Sequence, residues 1–429
     1  MVKQPRRLTG FITPEQHSEA PLDLQSTRRK LTFATLPAAR HLAKHTLASY
    51  NRFLSEAGSA WEYEMLPIRH RQHGEGELIP RVPSSVDGAD VFLFGASWDP
   101  SFITRSRDEL FGSLSAHGLL ADDVTLDDFV TGRATIAADT PQQVLTQALI
   151  QKLSNANIME TLLYARAFKS QGAAHVTLVM PYWPYGRQEK PTRLKRESTT
   201  SRLIADLVVE AGVDGLITYD PHSRALHGNF PEGRFLKKFI DADEEAYKVF
   251  KEYKGREDVQ FAFLDSGAVD RGDNLRRRLG LDPVIIGKVH HGDVENLGNT
   301  GLRPTTRYLL FIEDILGSGT TLKKGITPIV EELRRRNAHL APGEEPRDVQ
   351  WIGYISNPLC TKDAEKIVLE LSQNYGLKQL NISNSIQLPS SFLKIPCVVE
   401  HGLQDLLAKY INAIHYQTST TQHATSYDD

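Results

Sequence analysis

The segment LLFIEDILGSGTT, Leu309–Thr321, sets an apolar run against two carboxylates, Glu313 and Asp314, and then against a group of small residues. Gly317, Ser318, Gly319, Thr320 and Thr321 place backbone N–H groups and three hydroxyls in one tight turn. Between a strand and a helix such a turn cradles an anion, because the first amides of a helix have no intrahelical partner. The acid pair ahead of it suits the hydroxyls of a sugar, since a carboxylate accepts two hydrogen bonds side by side. Together these residues have the chemistry of a sugar-phosphate site. The competing account is a plain strand–turn–helix junction with glycine for the turn and a hydroxyl as cap. The attached strand and acid pair weigh against it.

Upstream, VTLVMPYWPYGRQEK (Val176–Lys190) leads an apolar strand through an aromatic turn to Arg187 and Gln188. A basic loop with Arg193, Lys195 and Arg196 follows, then a helix, then a strand ending in Asp220-Pro221-His222. Taken alone, Arg187 and Gln188 fit a solvated basic loop, and His222 fits a polar turn. FLDSGAVDR (Phe263–Arg271) and NANIMETLL (Asn155–Leu163) complete the series.

In this order the segments resemble the ribose-phosphate diphosphokinases, or PRPP synthetases, and the Glu313–Thr321 loop resembles the phosphoribosyl diphosphate loop of the type I phosphoribosyltransferase fold. The resemblance spans residues 30–415 approximately. It implies transfer of a diphosphoryl group from ATP to the anomeric hydroxyl of ribose 5-phosphate, leaving AMP, with Mg2+ bridging the triphosphate. By matched position, His222 and Asp265 lie near the metal. Arg187 and Gln188 hold ATP, and Glu313, Asp314 and Gly317–Thr321 hold ribose 5-phosphate. Lys288 opens the mobile catalytic loop, and HGEGE (His73, Glu75 and Glu77 among its residues) fills the slot that reaches adenine from a neighbouring subunit. That slot implies a homo-oligomer, a dimer or a hexamer built from dimers.

Three departures stand out. The family's Lys-x-Arg is here Lys288-Val289-His290-His291, so His290 is expected to take over part of the arginine's work when protonated. His73 and Glu75 replace a phenylalanine and an Asn/Asp. Residues 95–150 read as an insertion or lid, where the family has a short loop. These departures leave three other accounts open: a larger acceptor such as ADP-ribose, a weakly active regulatory paralogue, and a phosphoribosyltransferase. The last needs neither Arg187-Gln188 nor Asp220-Pro221-His222.

The elements that must position these residues alternate. Short apolar runs at Val91–Phe94, Val176–Met180, Leu216–Tyr219, Phe261–Leu264, Val284–Ile286, Tyr308–Ile312 and Val349–Ile355 read as strands covered on both faces. Helical spacing fills 141–170 and 201–211, the latter with Leu203, Ile204, Leu207 and Val208 on one face. Gly325 and Pro328 predict a short or kinked helix after the loop. The expected architecture is α/β: two similar three-layer, phosphoribosyltransferase-like domains with mainly parallel sheets, 30–230 and 231–416, exchanging helical segments at the end. Residues 1–29 read as a loose extension and 417–429 as a disordered tail.

Among 429 residues, 50 Lys and Arg face 53 Asp and Glu, which argues against a nucleic-acid coat. Two cysteines, Cys360 and Cys397, exclude a disulfide framework. Without a long apolar run or an apolar leader, the expected setting is cytoplasmic, away from membranes.

Overall fold

A computed structural model describes residues 10–20, 30–73, 77–98, 142–191, 194–286, 301–340, 345–361 and 363–418. Most of the expected insertion at 95–150, the catalytic-loop residues Lys288 and His290, and Glu75 lie outside the described residues. The chain divides into two compact units. Unit 1 takes in the described chain up to Thr218, then Ser223–Phe239, and again the chain from Leu403; unit 2 holds Tyr219–His222 and Ile240–Gly402.

Unit 1 is built on β1 (Leu31–Thr35), β2 (Met65–Leu66), β5 (Asp90–Phe94), β6 (His175–Val179), β7 (Gly215–Tyr219) and β8 (Leu236–Ile240), in the order β2-β1-β5-β6-β7-β8. The pairings from β2 through β7 are parallel. Strands such as β5, DVFLF, are buried at every position, as strands with helices on both faces must be. A separate antiparallel hairpin joins β3 (Arg69–Gln72) to β4 (Leu78–Arg81). Helix α1 spans Pro14–Glu19, α2 Arg40–Glu56, α3 Gln142–Ser170 and α4 Thr200–Glu210. Helix α2 buries Leu42, Ala43, Thr46, Ser49, Tyr50 and Leu54, one stripe at helical spacing. Helix α4 corrects the expected face. Ser201, Ile204, Ala205 and Val208 turn inward, while Leu203 and Leu207 are exposed. Ile204, Ala205 and Val208 join the unit 1 core, and the leucines fall about 100° away from that face.

Residues 10–20, expected in a loose extension, form α1 and dock on unit 1. Thr13 and Gln16 cap α1 reciprocally. Asn412, on the helix Gln404–His415, accepts from the Ile12 N–H and donates to the Ile12 carbonyl, both at 2.8 Å, and also bonds the Tyr50 hydroxyl. In the same helix His415 Nδ1 meets Asp90 at 2.8 Å, with both groups buried. These partners stand hundreds of residues apart, so no local pattern announces them.

Unit 2 carries α5 (Asp243–Phe250), β9 (Val259–Phe263), α6 (Ser266–Leu279), β10 (Pro283–Ile285), β11 (Tyr308–Leu316), α7 (Thr320–Asn337), β12 (Gln350–Pro358), α8 (Ala364–Asn374), β13 (Leu377–Ser383), α9 (Ser390–Leu393) and β14 (Val398–His401). Its parallel sheet runs β10-β9-β11-β12-β13-β14. The architecture is thus α/β with two mainly parallel sheets, as the sequence predicts, and each sheet has six strands.

Two differences concern β11 and α7. Strand β11, expected to stop at Ile312, continues through both acids, pairing with β12 as far as Leu316 opposite Pro358. Helix α7 is not short: it runs 18 residues with Pro328 inside. Pro328 has no N–H for the Lys324 carbonyl, and Lys324 lies on the exposed side, where water can take that carbonyl. Gly325 instead sets the packing. A Cβ there would sit 2.9 Å from Leu264. Gly272 does the same for α6, where a Cβ would meet Phe261 at 2.9 Å.

Gly353 of β12 lies opposite Phe311 of β11, and the Phe311 ring fills the space a side chain would need. Gly353→Ala is therefore expected to lower stability by about 1–3 kcal/mol through overpacking, measured by urea denaturation. An unchanged midpoint would mean that the ring moves aside freely.

Candidate functional site

The turn after β7 begins the site. Asp220 adopts φ 45°, a left-handed backbone uncommon for a side-chain-bearing residue. Its N–H donates to the Ile240 carbonyl at 2.7 Å, and the Asn357 amide donates to the Tyr219 and Asp220 carbonyls. Below the turn the Tyr219 and Tyr354 hydroxyls meet at 2.9 Å. This framework presents His222, a third of whose side chain (32%) is exposed.

His222 Nδ1 lies 2.6 Å from Asp314 Oδ2. The other Asp314 oxygen is 3.1 Å from Arg271, and the same guanidinium reaches Glu313 at 3.2 Å. Both acids are 5% exposed and Arg271 18%, so this is a nearly dry cluster rather than a surface pair. Burial alone would lower the Arg271 pKa. The surrounding carboxylates, Asp314 first and then Glu313, Asp220 and Asp265, more than offset it and hold the guanidinium above its ordinary range. Asp265, expected near a metal, is exposed and accepts the Ala268 N–H at 2.8 Å as the N-cap of α6. The same cap orients the helix that carries Arg271.

Past the acids, the turn Gly317–Gly319 leads into α7. The Thr361 N–H donates to the Gly317 carbonyl at 3.0 Å, and the Ser318 and Thr320 hydroxyls meet at 2.8 Å. Gly319 has φ +82°, and a Cβ there would stand 3.0 Å from Ile367, so only glycine suits this position. Being glycine, it gives α7 no side-chain cap. Thr320 and Thr321 are exposed at that helix start.

The structure thus brings together His222, Glu313 and Asp314, with Gly317–Thr321 in the turn and helix start that follow the same strand. Arg187 and Gln188 are exposed in unit 1, in a turn where Tyr185 has φ 55° and accepts from the Gln188 N–H at 2.9 Å. His73 and Glu77, also exposed, close the β3–β4 hairpin through a 2.9 Å bond from the His73 N–H to the Glu77 carbonyl. Sequence reasoning gave no role to Arg271, Asp220 or Ser356. Arg271 stood in the FLDSGAVDR match, and its position two turns after Asp265 was the available signal. Ser356 had none.

The Asp220 carboxyl accepts from the Ser356 hydroxyl. Burial, aided by Asp314, pushes its pKa up to about 7 against the opposing pull of Ser356 and Arg271. A carboxyl raised in the fold binds its proton more tightly there than in the unfolded chain. Ligand-free protein should therefore lose stability as pH rises from about 4 through 7 on this group's account. Asp220→Asn should flatten that slope in urea denaturation between pH 5 and 8; an unchanged slope would assign the dependence elsewhere.

Residues 139–212 match the model of the N-terminal domain of ribose phosphate pyrophosphokinase. Ribose-phosphate pyrophosphokinases from Corynebacterium ammoniagenes and Bacillus cereus are each 27% identical over 327 residues, covering 75% of this chain and 95% of theirs. The one from Vibrio vulnificus is 25% identical over 338 residues, covering 77% of this chain and 98% of its own. In fold, the chain is similar to phosphoribosylpyrophosphate synthetase from Mycobacterium smegmatis, with a TM-score of 0.61 and 19% identity over 91% of this chain and all of the other. With the ordered motifs and the two parallel sheets, the chain is thus similar in sequence to ribose-phosphate pyrophosphokinases and in fold to a phosphoribosylpyrophosphate synthetase.

Proposed function

We propose that the protein is a ribose-phosphate diphosphokinase, which converts ATP and ribose 5-phosphate to PRPP and AMP. The observation that carries this reading is the uncapped start of α7, set by the left-handed Gly319 directly after a buried acid pair. The phosphate of ribose 5-phosphate lies against the Gly317–Thr321 amides and the Ser318, Thr320 and Thr321 hydroxyls. The sugar hydroxyls face the acid end of the loop, toward Glu313 and Asp314. Arg187 serves the triphosphate and Gln188 the base or ribose, with His73, Glu75 and Glu77 toward adenine in a homo-oligomer.

In the reaction the anomeric hydroxyl loses its proton and its oxygen bonds to the β-phosphorus, while the bond from that phosphorus to the α–β bridging oxygen breaks and AMP departs. Positioning and charge neutralisation dominate such a transfer. Lys288 and His290 supply positive charge to the phosphoryl oxygens in this reading.

The residues present suit Mg2+. Asp265 offers a carboxylate, and His222 has its Nδ1 engaged by Asp314 while a third of the ring is exposed. Among the described residues no three His, Cys, Asp or Glu side chains gather around one ion position. His222 and Asp265 would hold such a cation together with triphosphate and water, since Mg2+ keeps few protein ligands. When bound, it neutralises charge on the phosphate oxygens. Among the described residues no helix is long and apolar enough to cross a membrane, and we place the enzyme in the cytoplasm.

Phosphorus NMR of the protein with ATP, Mg2+ and ribose 5-phosphate is expected to show AMP and the anomeric diphosphate appearing together. Thr321→Val should raise KM for ribose 5-phosphate by about 10-fold, the worth of one hydrogen bond to a charged group, and leave KM for ATP unchanged. Arg187→Ala should do the reverse. Absence of both products would overturn the reading, and product from ADP-ribose alone would move the acceptor to a larger substrate.

A further inference from the structure

We propose that Arg271 is the positioning residue of this site: it grips Glu313 and Asp314 together, and through Asp314 fixes His222 in one tautomer. The proposal deepens the functional reading above and rests on it for the identity of the ligand that His222 meets. Asp314 has both oxygens committed, one to Arg271 at 3.1 Å and one to His222 Nδ1 at 2.6 Å. An ionised carboxylate can only accept, so the proton between the two belongs to Nδ1. The second ring nitrogen, Nε2, then carries a lone pair. A ligating histidine whose other N–H is bonded to a carboxylate is a recurring arrangement, because the carboxylate sets both ring orientation and basicity.

What holds Asp314 in place is the guanidinium. Its two terminal nitrogens are divided between the adjacent acids, a fork that a single ammonium cannot reproduce. Arg271 Nε is buried and has no hydrogen-bond partner among the described residues, so the terminal contacts alone set the orientation of the group. Its helix is in turn fixed by the Asp265 cap and by the close approach of Gly272 to Phe261. Asp314, expected to face a sugar hydroxyl, is thereby an imidazole-orienting group first.

The test reads the tautomer directly. Full-length metal-free protein with 15N-labelled histidine is examined by two-bond 15N–1H spectra, with the His222 signals assigned by their loss in His222→Gln. Wild type should show His222 as the Nδ1–H form. Arg271→Gln and Arg271→Lys should both move it toward the Nε2–H form. Binding of Mn2+-ATP, followed by water-proton relaxation, should weaken by roughly 10–100-fold in Arg271→Gln, the usual effect of losing an outer partner of a ligand. Circular dichroism checks the folding of each variant, and Arg271→Lys, which keeps the charge, carries the test if the glutamine variant is unfolded. An Nε2–H form in wild type, or an unchanged tautomer in folded variants, overturns the proposal whether or not the protein makes PRPP. The expected tautomers in a protein that makes no PRPP uphold the clamp and sink the functional reading.

Discussion

Two adjacent carboxylates can stay dry and charged at the end of a strand only if a cation meets them, and in unit 2 Arg271 is the cation that does so. The paired acids allow β11 to run four residues past its apolar stretch while remaining in register with β12. That extension fixes where the chain turns, and the turn decides where α7 starts. Gly272 and Gly325 bring α6 and α7 against β9 and Leu264, close enough for the guanidinium to reach the acids. The same acid pair orients His222, so strand length, helix placement and ring orientation answer to one electrostatic requirement.

The candidate loop stood out in the sequence because its residue types are restrictive. A strand followed by two acids and a glycine–hydroxyl turn has few physical uses, and the structure places that turn at a helix start. The strands were legible from apolar runs, except where partners elsewhere neutralise charge: the end of β11 looked terminal because Glu313 and Asp314 are acids, and nothing local shows Arg271 bonded to both. Helix α4 misled in the opposite way. Its leucines are apolar, yet Ser201 and Ala205 join Ile204 and Val208 on the buried face and leave Leu203 and Leu207 exposed. Pro328 suggested a short or kinked helix, but one missing bond on an exposed side does not shorten a packed helix.

Asp220 and Ser356 were illegible for a different reason. Their contact depends on a left-handed turn and on β12 passing beneath it, both products of the assembled sheet. A buried carboxyl with a pKa near 7 is a tertiary property. No spacing rule encodes it.

The helix Gln404–His415 packs in unit 1, although the strand leading to it, β14, belongs to unit 2. During synthesis the first sheet is therefore complete in its strands long before its covering helix exists. Until residue 415 leaves the ribosome, Asp90 lacks His415, and both Ile12 and Tyr50 lack Asn412. These buried contacts of unit 1 are therefore made only after the chain has passed through the whole of unit 2, so the packing of the first unit is the last to be completed.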